Sequence, residues 1–404
     1  MTTILVGIDL PETDLASGLF AILFAKVTGV GENSNKLGCE VQITFTADRK
    51  AHKLVVRHCN LIHNHEPKKQ TGKQRKMVKE VDEVTLQDIW QAKERIADSV
   101  KKTPLIPLNQ GFKGTQSREI FLKLENLQPI GSFKIRGACN AICTIPTEKL
   151  KDGVYTASAG NFAQGLAWNA KQLGVPCRVV MPDHAPEAKV KPTLDMGAGV
   201  TKVKFDKWWE VVVNRKYEHF KGSFIHPVSE SSVIAGNGTI GLEILGDLPS
   251  VDTIIVPYGG GGLSSGIAIA AKGLKPNVKV YACEVETAAP LSAALKKGER
   301  VKCQYTPSFV DGMGSGEVLE EMWPLVKRVL DGSLVVSLRQ VADAIKLLAE
   351  RNHVIAEGAG AAPVAAALSG AAGEGKIVCV VSGGNIDASK LVPILQGFLP
   401  EEEK

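Results

Sequence analysis

A chain of 404 residues, 44% apolar and only 5% aromatic, is too long for one hydrophobic core and is expected to divide into two or three aliphatic-rich α/β domains. Of its net charge of +5, nearly all lies in residues 1–80, where 12 Lys+Arg face 8 Asp+Glu. The near-neutral remainder fits a small-molecule enzyme better than a nucleic-acid-binding body, and nucleic acid is expected, if anywhere, at the N-terminal extension. Eight cysteines scattered from Cys39 to Cys379 are no disulfide framework, which points to a reducing, cytoplasmic setting.

In chain order, the apolar run over residues 15–25 is too short for a membrane span and follows Asp9, Glu12 and Asp14 instead of a basic segment. Neither a membrane partner nor a secretory signal is expected. Cys39, Cys59, His63 and His65 form a Cys-x19-Cys-x3-His-x-His set that suits tetrahedral zinc. Residues 54–65 resemble the end of the FLYWCH and SWIM-associated zinc-finger class, although the first cysteine is distant and the usual tryptophan is missing. A folded zinc module and an unpacked extension both stay open for residues 1–80. Residues 66–80, with six basic side chains from Lys68 to Lys79, read as a solvated linker.

Beyond the linker, Thr85 is placed to cap a helix whose apolar positions recur at Leu86, Ile89, Ala92 and Ile96. An apolar strand over 120–124 leads to Gly131-Ser132-Phe133-Lys134-Ile135-Arg136-Gly137-Ala138 and a helix-like exit. Strands are then expected over 154–156, 178–181, 199–204, 253–257, 279–283 and 376–381, with helical patterns such as 163–173 and 262–274 between them. That alternation predicts βαβ units on largely parallel sheets.

Four segments carry chemistry. Lys134 is either a solvated cation or, if partly desolvated, a Schiff-base nucleophile, and its octapeptide alone does not separate the two. Thr156-Ala157-Ser158-Ala159-Gly160-Asn161 follows a strand and opens a helix. Ser158 is expected as its cap, the freed amides suit a carboxylate, and Asn161 suits the phenolic oxygen of a pyridine ring. Tyr258-Gly259-Gly260-Gly261-Gly262-Leu263 joins a strand to a helix N-terminus, the layout of a phosphate cradle, without Rossmann or P-loop spacing. Ser382, at the carboxyl end of an apolar strand in Ser382-Gly383-Gly384-Asn385, is placed to meet a ring nitrogen.

Together these are the parts pyridoxal phosphate needs. Residues 129–138, Ser158-Ala159-Gly160-Asn161, Gly259–Gly262 and Ser382-Gly383-Gly384-Asn385 occur in the order seen in the threonine/serine dehydratase and serine racemase family, and the chain resembles it over about residues 84–395. The resemblance implies a fold-type II, tryptophan synthase β-like architecture. Two open, mostly parallel sheets would be flanked by helices, with a large domain from 84–152 and 234–400, a small one over 153–233, and a homodimeric assembly. It implies that Lys134 forms the internal aldimine, Phe133 packs beside the ring and Asn161 contacts the phenolic oxygen. Gly259, Gly260, Gly261, Gly262 and Leu263 would cradle the phosphate, with Ser382 at the pyridine nitrogen. Ser158, Ala159, Gly160 and Asn161 would hold the substrate. The implied reaction is α,β-elimination from an L-threonine- or L-serine-type substrate to a 2-oxo acid and ammonia.

Departures from the family pattern sharpen this expectation. Ala159 stands where racemases of the family place an opposite-face serine base, which sets dehydratase above racemase. Phe162 replaces the usual histidine, leaving the choice among threonine, serine and bulkier β-hydroxy substrates open. Glu284 fits the first ligand of the family's divalent-cation site, but Pro290 falls where a carboxylate is expected. The competing reading is a non-catalytic dehydratase-like chain with an N-terminal binding module. It does not explain why Lys134, Asn161, the glycine run and Ser382 are all present.

Overall fold

The computed structural model describes residues 24–27, 41–47, 50–56, 81–111, 117–185 and 187–400. Contacts divide the chain into two units, 1–75 and 76–404. In the first, β1 (Phe24–Val27), β2 (Val41–Ala47) and β3 (Lys50–Val56) form an antiparallel sheet in that order. Cys39, Cys59, His63 and His65 lie outside the described residues.

The second unit holds two sheets. Its strands in chain order are β4 (Leu105–Pro107), β5 (Arg118–Leu124), β6 (Val154–Ala157), β7 (Cys177–Pro182), β8 (Gly199–Val203), β9 (Ser223–Phe224), β10 (Thr253–Pro257), β11 (Lys279–Val285), β12 (Gly332–Val336) and β13 (Gly375–Val381). The larger sheet runs β12-β11-β10-β13-β5-β4 and the smaller β8-β7-β6-β9. All neighbours are parallel except β4, which pairs antiparallel with β5 at the edge.

Helices cover both faces of the larger sheet, so its central strands are apolar without a break. The pleat still sorts them. On β13, Val378 and Val380 enter the core beneath helices Ser231–Asp247 and Gly262–Leu274, while Ile377, Cys379 and Val381 join the core under helices Leu338–Asn352 and Gly358–Ser369. Ile254 and Val256 versus Ile255 divide the same way on β10. Each such side chain contributes about 1.5–3 kcal/mol by leaving water. Helices Ser231–Asp247 and Gly262–Leu274 approach through glycine, since a Cβ on Gly238 would stand 2.9 Å from the Gly266 carbonyl oxygen.

The expected strands and helices form within a few residues of their predicted bounds, and 253–257 and 262–274 match theirs. Thr85 caps helix Leu86–Arg95 in a reciprocal box with Asp88. Ser158 departs from expectation. Gly160 is the N-cap of helix Asn161–Gln172, no side chain caps it, and the Ser158 hydroxyl accepts only a 3.4 Å bond from Gly160 N–H. Ser158 lies two residues before that N-cap, too early in the chain for its hydroxyl to take the capping position.

Candidate active site

Three neighbouring parallel strands, β10, β13 and β5, deliver their carboxyl ends to one edge of the larger sheet, where open α/β sheets place ligands. Beyond β10 comes the glycine run, beyond β13 comes Ser382, and beyond β5 comes the turn that carries Lys134. β6 of the smaller sheet contributes residues 158–161 in the same way. A cavity of about 440 Å³ is lined by Phe133, Lys134, Ser158, Ala159, Gly160, Asn161, Gly259, Gly260, Gly261, Gly262, Leu263 and Ser382. Every residue expected to hold cofactor or substrate therefore comes to one space.

Backbone bonds tie the lysine turn to the Ser382 turn. Ser132 forms an antiparallel bridge with Gly383, Phe133 N–H donates to the Ser382 carbonyl at 2.9 Å, and Gly384 N–H donates to the Gly131 carbonyl at 2.9 Å. Lys134 opens helix Lys134–Cys143. Two residues on, Arg136 is buried in a balanced ionic cluster. It donates to Glu125 at 2.8 Å and to Glu243 at 2.7 Å, while buried Lys123 also pairs with Glu243. Two cations and two carboxylates satisfy one another there, fixing the first turn of the lysine's helix.

The Lys134 amine lies 5.0 Å from the Phe133 ring centre and 5.8 Å from that of Phe162. Burial between these rings pulls its pKa down to about 8, against the opposing pull of the Glu357 carboxylate. At neutral pH about a tenth of the amine is then uncharged, compared with well under a thousandth for an ordinary lysine.

In the glycine run, Gly261 is the N-cap of helix Gly262–Leu274 with φ +93°. A Cβ on Gly260 would meet Val228 Cγ1 at 2.5 Å, and one on Gly262 would meet the Val228 carbonyl oxygen at 2.7 Å. Side chains are excluded at these two positions, and the run meets a helix N-terminus at the edge of the cavity, a setting that favours an anion.

Sequence reasoning missed Glu357. The Asn161 side-chain amide donates to both Glu357 carboxylate oxygens at 3.1 Å, and Asn161 Oδ1 accepts from the Asn385 amide at 2.8 Å. Asn385 also donates to the Ile130 carbonyl at 2.9 Å. Asn161 is thus oriented from both ends. Burial raises the Glu357 carboxyl to about 7; Asp311 adds to this, while the Asn161 hydrogen bond, Lys189 and Lys134 oppose it. Its sequence signal was a lone acid in the small-residue run Ala356-Glu357-Gly358-Ala359-Gly360 before a helix. His226 was missed as well. Its Nδ1 accepts from Ser229 N–H at 2.9 Å and Val228 N–H at 3.2 Å, and burial, then Arg215 and Lys134, push its pKa down to about 3. The ring lines the cavity as a neutral group.

Glu284 is not part of this cavity. Buried at the end of β11, its carboxylate accepts from Leu291 and Ser292 N–H at 2.8 Å each and from the Ser333 hydroxyl at 2.6 Å. It caps helix Pro290–Lys297, and burial raises its pKa against those bonds. Among the described residues no group of three or more His, Cys, Asp or Glu side chains is placed to hold a metal ion. No described helix is long and apolar enough to cross a membrane.

Residues 96–383 match the family model described as pyridoxal-phosphate dependent enzyme. An L-threonine ammonia-lyase of Thermotoga maritima is 41% identical over 315 residues, covering 77% of this chain and 78% of the relative. A catabolic L-threonine dehydratase of Escherichia coli is 38% identical over 322 residues, 78% of this chain and 97% of the relative. The solved structure of a serine racemase from Dictyostelium discoideum superposes with a TM-score of 0.68 at 37% identity, covering 75% of this chain and 99% of that one. With a desolvated lysine, a glycine cradle and a strand-end serine around one cavity, and with these relatives spanning most of its length, the chain belongs to the pyridoxal-phosphate dependent enzymes of fold-type II.

Proposed function

We propose that this protein is an L-threonine/L-serine dehydratase, an ammonia-lyase that converts a β-hydroxy amino acid to a 2-oxo acid and ammonia. The observation that carries this reading is the buried amine of Lys134, near a pKa of about 8, in the same cavity as the side-chain-free glycine run. These residues fit pyridoxal phosphate. Amides of Gly259–Gly262 and the dipole of the following helix suit its phosphate, Ser382 its ring nitrogen, Asn161 its phenolic oxygen, and Phe133 the ring's side. When bound, the cofactor supplies an electron-withdrawing ring that stabilises negative charge at the substrate α-carbon.

The chain's own groups do the rest. Amides of residues 158–161 bind the substrate carboxylate, and the neutral form of Lys134 Nζ takes the α-proton. The protonated amine then returns a proton to the β-hydroxyl, which departs as water, and a second water hydrolyses the released enamine's imine tautomer to the 2-oxo acid and ammonia. Asn161, clamped between Glu357 and Asn385, holds its amide in one orientation at the cavity, where it would meet the cofactor's phenolic oxygen. Ala159 offers no proton on the opposite face, which supports elimination over racemisation. The likeness to a serine racemase makes the racemase reading testable by chiral analysis of recovered serine.

The stretch 153–233, with its four-stranded sheet, acts in this reading as the smaller lobe over a cleft made with 84–152 and 234–400. A homodimer and a cytoplasmic setting belong to the same reading, the latter supported by free cysteines at Cys139, Cys143, Cys177, Cys283, Cys303 and Cys379. Glu284 serves as a helix cap in preference to a cation ligand, because all its described contacts are donors of this chain. Zinc at Cys39, Cys59, His63 and His65 stays tied to metal analysis of the full chain. The decisive experiment adds pyridoxal phosphate and measures 2-oxo-acid release from L-threonine and L-serine. A visible band distinct from that of free pyridoxal phosphate is expected together with turnover, both lost in Lys134→Ala; normal turnover in that variant refutes the assignment.

A further inference from the structure

The polar lining of the cavity is accounted for by cofactor and carboxylate groups, but part of its apolar lining is not. Helix Phe205–Asn214 places Phe205, Trp208, Trp209 and Val212 along it, at the i, i+3, i+4, i+7 spacing of one helical face. Phe205 is 50% exposed and Trp209 47% exposed, although both belong to a run of rings. Ring centres of Phe205 and Trp208 stand 5.6 Å apart, those of Trp208 and Trp209 6.1 Å, and His184 adds a further ring 5.9 Å from Phe205. Packing inside the lobe does not require all of them. The cluster of Tyr155, Ala157, Val180 and Tyr217 is filled by Val211 and Val212, with Trp208 only partly against it. Phe162 adds a further ring beside the Lys134 amine.

Beyond its β-carbon a threonine presents one methyl group and a serine nothing. Neither covers two half-exposed aromatic rings. A planar apolar substituent on the β-carbon would cover them, stacking in the offset or edge geometries aromatic groups prefer. We infer that this site also takes 3-hydroxy amino acids with an aromatic β-substituent, the substituent lying against Phe205, Trp208 and Trp209. The inference rests on the dehydratase reading above and adds a substrate class to it.

The bond changes are those already described, because the aromatic group stays on the β-carbon throughout. The α-proton goes to Lys134 Nζ, and the protonated amine returns a proton to the β-hydroxyl as its C–O bond breaks. Water leaves with formation of a Cα–Cβ double bond. The released enamine tautomerises to its imine, and a second water cleaves the C=N bond to ammonia and a 3-aryl-2-oxo acid.

The test uses the full-length holoenzyme with L-threonine, L-serine and L-threo-3-phenylserine as separate substrates. Phenylserine should be turned over with a kcat/KM at least about a tenth of that for threonine, and the phenylserine-to-threonine ratio should fall about ten-fold or more in Trp209→Ala, chiefly through KM. Phe205→Ala is the second variant, should the first not fold, and should move the ratio the same way. L-Phenylalanine, which has no β-hydroxyl to lose, should compete with threonine in the wild type and more weakly in both variants. A phenylserine kcat/KM below that tenth, or a ratio unmoved in a folded variant, overturns the inference while leaving threonine turnover intact. Absence of 2-oxo acid from all three substrates overturns the dehydratase reading itself.

Discussion

Substituting single glycines of the cradle separates two roles that the run combines. Gly261 has φ +93°, and an added Cβ would stand 2.8 Å from Val326 Cγ1 and 3.2 Å from Tyr258 Cε2. The left-handed backbone costs an alanine about 1–2 kcal/mol, and forcing a methyl into a filled core costs about 1–3 kcal/mol more. Gly261→Ala should therefore lose about 2–5 kcal/mol of stability and cofactor affinity with it. Gly259 is different. Its φ is not positive, and the nearest atom to an added Cβ is Met313 Cα at 3.6 Å, an ordinary contact. Yet Gly259 lines the cavity, so Gly259→Ala should keep the unfolding midpoint of the apoprotein while weakening pyridoxal phosphate. Urea unfolding of each apoprotein and a cofactor titration followed by visible absorption read the two effects apart. If Gly259→Ala binds the cofactor as wild type does, the glycines are only a turn and the cradle reading is wrong. A wild-type unfolding midpoint in Gly261→Ala would refute the steric part of the reasoning.

Other outcomes follow from the charged groups. The Glu357 carboxyl sits near a pKa of about 7 in the folded chain against 4.5 ordinarily, so the folded state holds this proton longer than the unfolded one. Its contribution to stability is full below the ordinary value and is lost as the pH rises through about 7. Glu357→Gln should therefore show a smaller loss of stability than wild type between about pH 5 and about pH 8, and an unchanged slope of unfolding free energy against pH would contradict the burial argument. The same variant removes the carboxylate that raises the Lys134 pKa, so the pH midpoint for cofactor uptake by the apoprotein should move down. Arg136→Met leaves buried Glu125 without its guanidinium and should cost about 3–5 kcal/mol in urea unfolding; adding Glu125→Gln should recover part of that loss.

The central strands and the glycine-run helix were legible because their signals are local and redundant. Residues 253–257 are apolar and β-branched, a glycine cluster stops them, and a helical pattern follows. β12 escaped because it is an edge strand of mixed burial whose apolar run is only Leu334-Val335-Val336, too short to stand out from its surroundings. β9, two residues long, carries too little sequence to show a period. Lys134 and Ser382 were readable from the turns around them, whereas Glu357 acquires its role from Asn161, 196 residues earlier in the chain. Spacing cannot reveal a partnership of that kind. Ser158 shows the opposite error, since it has the right residue type for a capping position that the backbone gives to Gly160.

The bridge between Ser132 and Gly383, with its flanking backbone bonds, acts as a caliper. Its two jaws carry Lys134 and Ser382, in the proposed reading the nucleophile and the hydroxyl at the ring nitrogen, and the gap between them is held by main-chain bonds with the Asn385 amide on the Ile130 carbonyl beside them. Exchanging either side chain, or repapering the aromatic wall across the cavity, leaves that gap as it was. Side chains elsewhere in the cavity lining can then be exchanged without recalibrating the reach of the Lys134 amine.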